Sequence, residues 1–511
     1  MYQKTRKAIS LLILATIVYY FRPWFQELFL GFYMNPFIVQ ALVAGLLVGG
    51  VVFLATGDNM TSADAIAKGK SGTAFVITAS VFLVLGGVLN TPFTSLDIAD
   101  DLGENAVEID SLPDIDNENP RILPRSVANE FAENSLQEPR HRLGTGDIAI
   151  DENGTPQWSY PLKPDGTLNT FILNQKGSAF VDMTTSSSNL RYNSQEMEVG
   201  IGMQIRDNVN WQQRKERFWV NYEDHINLEY EGENYIATPY KDYSFRFRFP
   251  IFYTVPEWGG VALVDSDGSI EYVDSEDVES HEVLSSQRTY PFELAHRYVS
   301  AMEYRNGIMN KWFLHEDQLE VAPVPGFDND QPFMILTEEN PKLFVATEPY
   351  GDASGLFEIW TIDAVTGEYE LFRLERDEGL IGANRAVNFV RRANSRVNWA
   401  DRESDTGFVP VEPIPVIVDE RLYWQVRVIP LDSAGIAFTS FVDARTSNVY
   451  TAESDEDIID FLEGEELDET VVDEEEPVTQ EGIEVTILQD GEVVERFHLE
   501  DRDFDIQVRE D

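Results

Sequence analysis

Three long apolar stretches lie within the first 95 residues, at positions 9–21, 36–56 and 73–89. A helix needs roughly 20 apolar residues to cross a bilayer, with about 17 as the lower limit. The second and third stretches therefore predict transmembrane helices over about 36–56 and 73–90. The first, at about 9–22, is short and spans only if it continues past Arg22. Residues 1–95 are predicted to be a membrane anchor of three transmembrane helices.

Basic residues beside these stretches predict the orientation of the anchor. Lys4, Arg6 and Lys7 precede the first stretch, and Lys68 and Lys70 precede the third. Because Lys and Arg are enriched in cytoplasmic loops, the N-terminus is expected in the cytoplasm and residues 96–511 outside. A cleaved signal peptide is the alternative for the first stretch, but positions 18–22 offer no small-residue cleavage site. Gly45 and Gly49 predict close helix packing, either within the chain or between copies.

Beyond about residue 126 the pattern changes to short segments in which apolar and polar positions alternate. Aromatic and β-branched residues dominate these segments, which is typical of strands. Helical spacing is found at 126–137, 292–304 and about 380–392. The predicted fold class is therefore N-terminal transmembrane α-helices plus a large β-rich (α+β) soluble domain, with repeated antiparallel hairpins, over residues 126–452.

Two acidic segments flank this predicted domain. Residues 96–125 are rich in Asp, Glu, Asn and Pro and are predicted to form an acidic stalk. Residues 453–481 are predicted to be an acidic linker, because 13 of the 22 residues from 455 to 476 are acidic and none is basic. Residues 482–511 predict a C-terminal β-hairpin turning at Asp490-Gly491, which must dock on the domain or on a partner.

A weak internal repeat runs through the β-rich region. Each unit has an aromatic strand, a turn containing Pro, a strand ending in Asp265, Asp363 or Asp443, and a further strand. Gly268, Gly367 and Asn448 are expected to supply the positive φ angle that such turns need.

The six residues Asp363-Ala-Val-Thr-Gly-Glu368 resemble the hairpin of PepSY-type domains, which are small α+β modules of secreted and membrane-attached proteins. This resemblance implies a role in modulating peptidases or in regulation outside the cytoplasm. The order of segments, with a few spans before a large acidic β-rich domain, also resembles uncharacterised membrane proteins of haloarchaea and their viruses.

The charge of the chain indicates its environment rather than its fold. The chain has 511 residues, with 38 Lys and Arg against 90 Asp and Glu, a net charge of −52. Such a surface predicts a high-salt environment, where screening removes the self-repulsion; an ordinary acidic protein with a cation-binding face is the alternative. The charge excludes general nucleic-acid binding. The absence of cysteine excludes disulfides and thiolate chemistry.

Motifs for catalysis are missing from the sequence. The six histidines lack zinc-protease spacing, there is no Gly-x-Ser-x-Gly, and Gly69-Lys70-Ser71 lacks the glycine that a P-loop needs at position 64. Several weaker candidates have simpler interpretations, which we favour. Asp265–Gly268 and Asp328–Asp330 could bind Ca²⁺ but are expected to form turns, and Trp211, Trp219 and Tyr222 could stack on sugars but are expected in the core. Glu358, Asp363 and Glu368 could form a pair for glycoside hydrolysis, but among 90 acidic residues such a pairing arises easily by chance. Asn153 begins a glycosylation sequon, which indicates a surface loop. No catalytic residue, cofactor or metal site is predicted.

Together these features predict a non-enzymatic envelope or virion-membrane protein that binds or scaffolds other proteins. Its predicted partners are the lipid bilayer and other envelope proteins, with no nucleic acid. The alternative is a membrane-tethered hydrolase that acts on envelope polymers. Cellular or viral origin and oligomeric state stay open.

Overall fold

The structure is a computed structural model, and it describes residues 12–56, 63–187, 189–325, 331–337, 339–351, 355–374, 379–400, 406–465, 467, 469–470, 483–489 and 492–499. The helices are α1 (12–20), α2 (Gln26–Met34), α3 (Pro36–Thr56), α4 (Ala63–Asn105), α5 (Arg125–Ser135), α6 (Asn169–Ile172), α7 (Val209–Glu216), α8 (Phe292–Ala301), α9 (Ala383–Ala393) and α10 (Asp455–Leu462). Short 3-10 turns lie at Arg22–Phe25, Ile205–Asp207, Ser275–Ser280 and Met302–Tyr304, and a π-helical turn at Asn310–Leu314.

The strands are β1 (Val107–Ile109), β2 (His141–Leu143), β3 (Asp147–Ile150), β4 (Pro156–Pro164), β5 (Ser178–Asp182), β6 (Leu190–Asn193), β7 (Asn221–Tyr222), β8 (Ile226–Tyr230), β9 (Glu233–Arg248), β10 (Ile251–Val264), β11 (Ile270–Asp274), β12 (Leu319–Val321), β13 (Phe333–Ile335), β14 (Lys342–Pro349), β15 (Gly355–Leu356), β16 (Glu358–Asp363), β17 (Tyr369–Arg373), β18 (Leu380–Ile381), β19 (Phe408–Val418), β20 (Arg421–Pro430), β21 (Phe438–Asp443), β22 (Val449–Ala452), β23 (Glu469–Thr470), β24 (Ile483–Gln489) and β25 (Glu492–Leu499).

Four sheets of five or six strands and a two-stranded sheet of β15 and β18 form the β-rich part of the described residues. The strand orders of the four larger sheets are β2-β4-β5-β6 with β3 beside β4, β11-β10-β9-β7 with β8 beside β9, β1-β17-β16-β14-β12 with β13 beside β14, and β19-β20-β21-β22-β23. The strand pairs in these sheets are antiparallel except β1 with β17, which is parallel. The predicted layout of apolar N-terminal helices followed by a large α+β domain with antiparallel sheets is confirmed.

The first apolar stretch does not continue as one helix past Arg22. Helix α1 is followed by the 3-10 turn Arg22–Phe25, and α2 then starts a separate helix. Pro23 lies in this turn, and since proline has no N–H it cannot extend the hydrogen-bond ladder of α1. Residues 1–11, where the predicted span begins, lie outside the described residues.

Two stacked units repeat the same arrangement. In one, α8 packs on β12, β14, β16 and β17; in the other, α9 packs on β19, β20, β21 and β22. Just before each helix, a backbone N–H donates to the residue that follows the turn aspartate: Tyr290 to Ala364 at 2.8 Å, and Ile381 to Ala444 at 2.7 Å. The repeat therefore includes the helices as well as the hairpins.

The turns of the repeat confirm two of the three predicted positive φ angles. Gly268 and Gly367 have φ values of 82° and 76°, but the prediction for Asn448 is wrong, because Ser447 takes the left-handed conformation with φ 65°. Asp363 and Asp443 stabilise their turns alike, since each Oδ1 accepts two backbone N–H groups at 2.7–2.9 Å.

Residues 96–125 are not a stalk. Helix α4 continues to Asn105, β1 joins the sheet of β17, and the loop that follows is buried at Leu112, Ile122 and Leu123. Most carboxylates of this segment are exposed, while its apolar residues fill the two main cores. The segment is therefore packed against the domain despite its acidic composition.

The predicted acidic linker is also partly folded. Helix α10 begins with a capping box between Ser454 and Asp457, and Phe461 stacks on Phe441 with ring centroids 4.2 Å apart. Residues 471–482 lie outside the described residues. The predicted C-terminal hairpin is present as β24 paired with β25.

Candidate functional site

Helices α3 and α4 form an antiparallel hairpin whose outer surface is apolar. Among the described residues these two helices are long and apolar enough to cross a membrane, over Pro36–Ala55 and from Gly69 onwards. The 21 residues of α3 rise about 30 Å at 1.5 Å per residue. This length equals the hydrocarbon thickness of a typical bilayer. Side chains such as Leu46, which is 66% exposed, have no protein contact to cover them.

Glycines bring the two helices together. A Cβ atom on Gly45 or Gly49 would lie about 3 Å from Phe75, and one on Gly86 would lie 2.0 Å from the ring of Phe37. Ser71 Oγ also donates to the carbonyl of Gly49 at 2.6 Å. The small-residue pair predicted from the sequence therefore serves packing within the chain.

Exposed and half-exposed aromatic side chains lie beside the first turns of α3. They come from α2, from Trp219 just before β7 and from the tip of the β9–β10 hairpin. We call this set the apolar collar: Phe29, Phe32, Tyr33, Trp219, Phe245, Phe247, Phe249 and Phe252. Phe249, at the tip, is 84% exposed. Aromatic side chains at this position are typical of a membrane–water boundary.

The β9–β10 tip is bonded to the start of α3. Gln40 Nε2 donates to the carbonyl of Pro250 at 2.8 Å, and Gln40 Oε1 accepts the N–H of Phe252 at 2.9 Å. Thr254 Oγ1 donates to the carbonyl of Met34 at 2.7 Å. These bonds hold the collar phenylalanines beside the first turns of the apolar helix.

Helix α4 connects the hairpin rigidly to the β-rich domain. Thr94 Oγ1 donates to the carbonyl of Thr254 at 2.9 Å, and Asp97 accepts from Arg248 at 2.9 Å and from the hydroxyl of Tyr253 at 2.6 Å. Burial, together with this bond to Asp97, raises the pKa of Tyr253 to about 12. Further along α4, Ala99 and Leu102 are buried in a main core, so one helix runs from the apolar hairpin into the domain.

The aromatic residues that could stack on sugars have other roles. Trp211 is buried against Phe21 and Trp24 at the α1–α2 junction, with ring centroids 5.9 and 5.6 Å away. Trp219 packs on Tyr33 in the collar at 5.3 Å. The hydroxyl of Tyr222 lies within hydrogen-bond distance of the carbonyls of Gln213 and Arg217, at 2.9 and 3.0 Å, inside the domain.

A cavity of about 370 Å³ in the β-rich domain is lined by Arg121, Lys163 and Glu412 among others. Glu412 is 7% exposed and has a left-handed φ of 43°, but its carboxylate is occupied by Arg121 Nη2 at 3.1 Å and the N–H of Arg125 at 2.7 Å. His225 lines the same cavity and is bonded to Thr238 Oγ1 at 2.7 Å; burial lowers its pKa to about 4. These bonds hold the 121–125 segment against Glu412 and hold His225 against β9. Among the described lining residues they show no pairing of a nucleophile with a base.

The carboxylates weighed for catalysis do not form a pair. Glu358 is buried against Arg305 at 2.8 Å, while Asp363 is used by its turn at the other end of the same strand. Five strand residues span about 16 Å, which exceeds the separation used by either class of glycosidase. Glu368 belongs to the turn after Asp363, where its N–H donates to Thr366 Oγ1.

Of the two calcium candidates, Asp265–Gly268 lies within the described residues. Asp265 Oδ1 accepts the N–H of Ser269 at 2.8 Å and closes a tight turn. Asp328–Asp330 lies outside the described residues. Within the part of the chain that the structure describes, no three His, Asp or Glu side chains are arranged to hold a metal ion.

Comparison with known proteins gives no relative: no family model, no curated protein and no solved structure matches this chain. The apolar collar was not predicted from the sequence, although the alternation of Phe245, Phe247 and Phe249 places all three on one face of β9 and its turn.

Proposed function

We propose that this chain is an integral membrane protein that holds a β-rich domain directly against the outer surface of a membrane, where the domain binds or scaffolds other envelope proteins. The observation that carries the proposal is the apolar collar, which lies beside the first turns of a helical hairpin of membrane-spanning length. A cluster of exposed aromatic residues next to an apolar helix supports a surface that faces a membrane.

The orientation follows from charge. Lys68 and Lys70 lie at the end of the hairpin away from the domain, and the enrichment of Lys and Arg on the cytoplasmic side supports a cytoplasmic position for that end and an external position for the domain. The net charge of −52 supports a cell or virion in concentrated salt. The duplicated units with matching turns at Asp363 and Asp443 support the resemblance to PepSY modules, and with it a regulatory or binding role.

A second apolar surface favours protein binding. Leu168, the N-cap of α6, and Phe171 and Ile172 within α6 are all more than half exposed and form no part of the collar. Neighbouring exposed apolar side chains of this kind support a contact site for another protein.

Orientation is tested by single-cysteine labelling, which is direct because the chain has no cysteine. Intact cells or virions carrying Asp267→Cys, in an exposed turn, should react with a membrane-impermeant maleimide. Thr61→Cys, in the segment between the two helices, should react only after the membrane is permeabilised. The reverse pattern would contradict the proposed orientation.

The binding role is tested by a photo-cross-linking residue at Phe171, with the same residue at exposed Asp267 as the control. A protein adduct specific to position 171 in native membranes is expected. Equal or absent adducts at the two positions would contradict protein binding through α6.

A further inference from the structure

An apolar groove of about 670 Å³ lies beside α3, on the side turned away from α4. Phe32 and Tyr33 of α2 form one wall, Val43 and Leu47 of α3 form the floor, and Phe245 and Trp219 form the wall towards the domain. Val43 and Leu47 also belong to the exposed apolar surface of the helical hairpin, so the groove is continuous with the surface that would face lipid.

The lining defines the chemistry of the occupant. The amide of Gln40 is the main polar group in the groove, and both of its ends are already bonded to the β9–β10 tip. The remaining lining is almost entirely carbon. A polar ligand would therefore lose its hydrogen bonds to water without replacement, whereas a hydrocarbon chain loses nothing.

The length of the groove matches one leaflet. From Pro36 to Leu47 the helix rises about 16 Å at 1.5 Å per residue. This is about half of the ~30 Å hydrocarbon core of a bilayer. The collar lies at the end of the groove nearest the domain, where the headgroup of the occupant would be.

We propose that this groove binds the hydrocarbon tail of a lipid from the leaflet next to the domain; the inference rests on the proposed membrane location. The bound tail would fill the space between α2 and α3 and so complete the contact between the domain and the membrane. The chain's own N-terminal segment is a poorer occupant, because α1 ends against Trp211, which does not line the groove.

The test uses the full-length protein in vesicles that contain a phospholipid with a photoreactive diazirine in mid-chain. After irradiation, the labelled residues are mapped by mass spectrometry. Ala44→Trp places a bulky side chain in the groove, and Leu46→Trp adds the same side chain to α3 outside it. Sedimentation of both variants with the vesicles reports membrane insertion separately.

Labelling should concentrate on groove residues such as Val43 and Phe245, and Ala44→Trp should reduce it about tenfold, equivalent to ~1.4 kcal/mol of binding. Leu46→Trp should leave it unchanged. Even labelling around α3, or a cross-link between residues 1–11 or a second copy and the groove, would overturn the proposal while the protein still sediments with the vesicles. Failure of the unmodified chain to sediment with them would instead overturn the proposed function.

Discussion

Gln40 and Pro250 are joined by a 2.8 Å hydrogen bond, although 210 residues separate them in the sequence. Gln40 lies in the second turn of α3, and Pro250 lies at the tip of the β9–β10 hairpin between Phe249 and Ile251. Because the same side chain also accepts from Phe252, one amide satisfies both backbone groups of the tip that faces the helix. These two bonds explain why an otherwise apolar helix contains a glutamine. They also fix the position of the collar along α3.

Replacing this glutamine should release the tip. In Gln40→Ala, two hydrogen bonds to the tip are lost, each with a net contribution of about 1 kcal/mol. Hydrogen exchange at the Phe252 amide should therefore accelerate at least about tenfold. Gln137→Ala, at an exposed position, should leave that exchange rate unchanged. Unaltered protection of Phe252 in Gln40→Ala would mean that the tip is held by other contacts.

Two adjacent glycines provide a matched test of the helical hairpin. A methyl group in Gly86→Ala would overlap the ring of Phe37, whereas one in Gly87→Ala meets nothing within 4 Å. The first variant should lose about 1–3 kcal/mol of stability through overpacking. The second should gain up to about 1 kcal/mol from helix propensity. Thermal unfolding in detergent micelles measures both, and equal melting temperatures would contradict the packing of α3 on α4.

The duplicated units predict similar roles for two distant aspartates. Asp363→Ala and Asp443→Ala each remove an oxygen that accepts two backbone N–H groups in a tight turn. Each should cost about 1–3 kcal/mol in urea unfolding. Asp267→Ala removes an exposed carboxylate from another turn and should change stability by less than about 0.5 kcal/mol. If one of the two variants behaved like this control, the units would not be structurally equivalent.

The pKa of His225 predicts a dependence of stability on pH. Burial lowers this pKa from the ordinary value of 6.5 to about 4, so the folded state resists protonation while the unfolded state accepts it. The contribution is absent above pH 6.5, and stability is progressively lost as the pH falls from 6.5 to about 4. His225→Gln has no such term. The difference in urea midpoint between the two proteins should therefore shift in favour of the variant between pH 7 and pH 4.5, at constant salt. A constant difference would show that the pKa of His225 in the folded state is not lowered from its ordinary value.

The sequence predicts α3 well because its 21 residues are apolar on every side, and a pattern without periodicity needs no tertiary information. It also predicts the turn at Asp363, since aspartate and glycine determine that turn locally. The continuation of α4 to Asn105 was missed. Asp97, Asp100 and Asp101 dominate the composition there, while Ile98, Ala99 and Leu102 carry the weaker helical spacing that buries this segment.

The collar could not be predicted for a different reason. Alternation along β9 shows that Phe245 and Phe247 share a face, but the identity of what covers that face is a tertiary property. In the structure, the bond of Gln40 to the β9–β10 tip, the bond of Thr254 to Met34 at the end of α2 and the packing of Phe245 on Tyr33 place this face beside the apolar helices. The three aromatic residues weighed for sugar stacking likewise lie in three different places: Trp211 at the α1–α2 junction, Trp219 in the collar and Tyr222 in the domain interior. No local sequence pattern distinguishes these three environments.

Spin-label accessibility tests the membrane location most directly, and the absence of cysteine allows one label at a time. Labels are introduced by Leu46→Cys in the middle of α3, Phe249→Cys in the collar and Asp267→Cys in the exposed turn, and the protein is reconstituted in vesicles. The label at 46 should collide with dissolved oxygen and be shielded from a water-soluble nickel complex, the label at 267 should show the opposite, and the label at 249 should lie between them. If position 46 were as accessible to nickel as position 267, the helical hairpin would lie outside the bilayer and the proposed membrane location would be wrong.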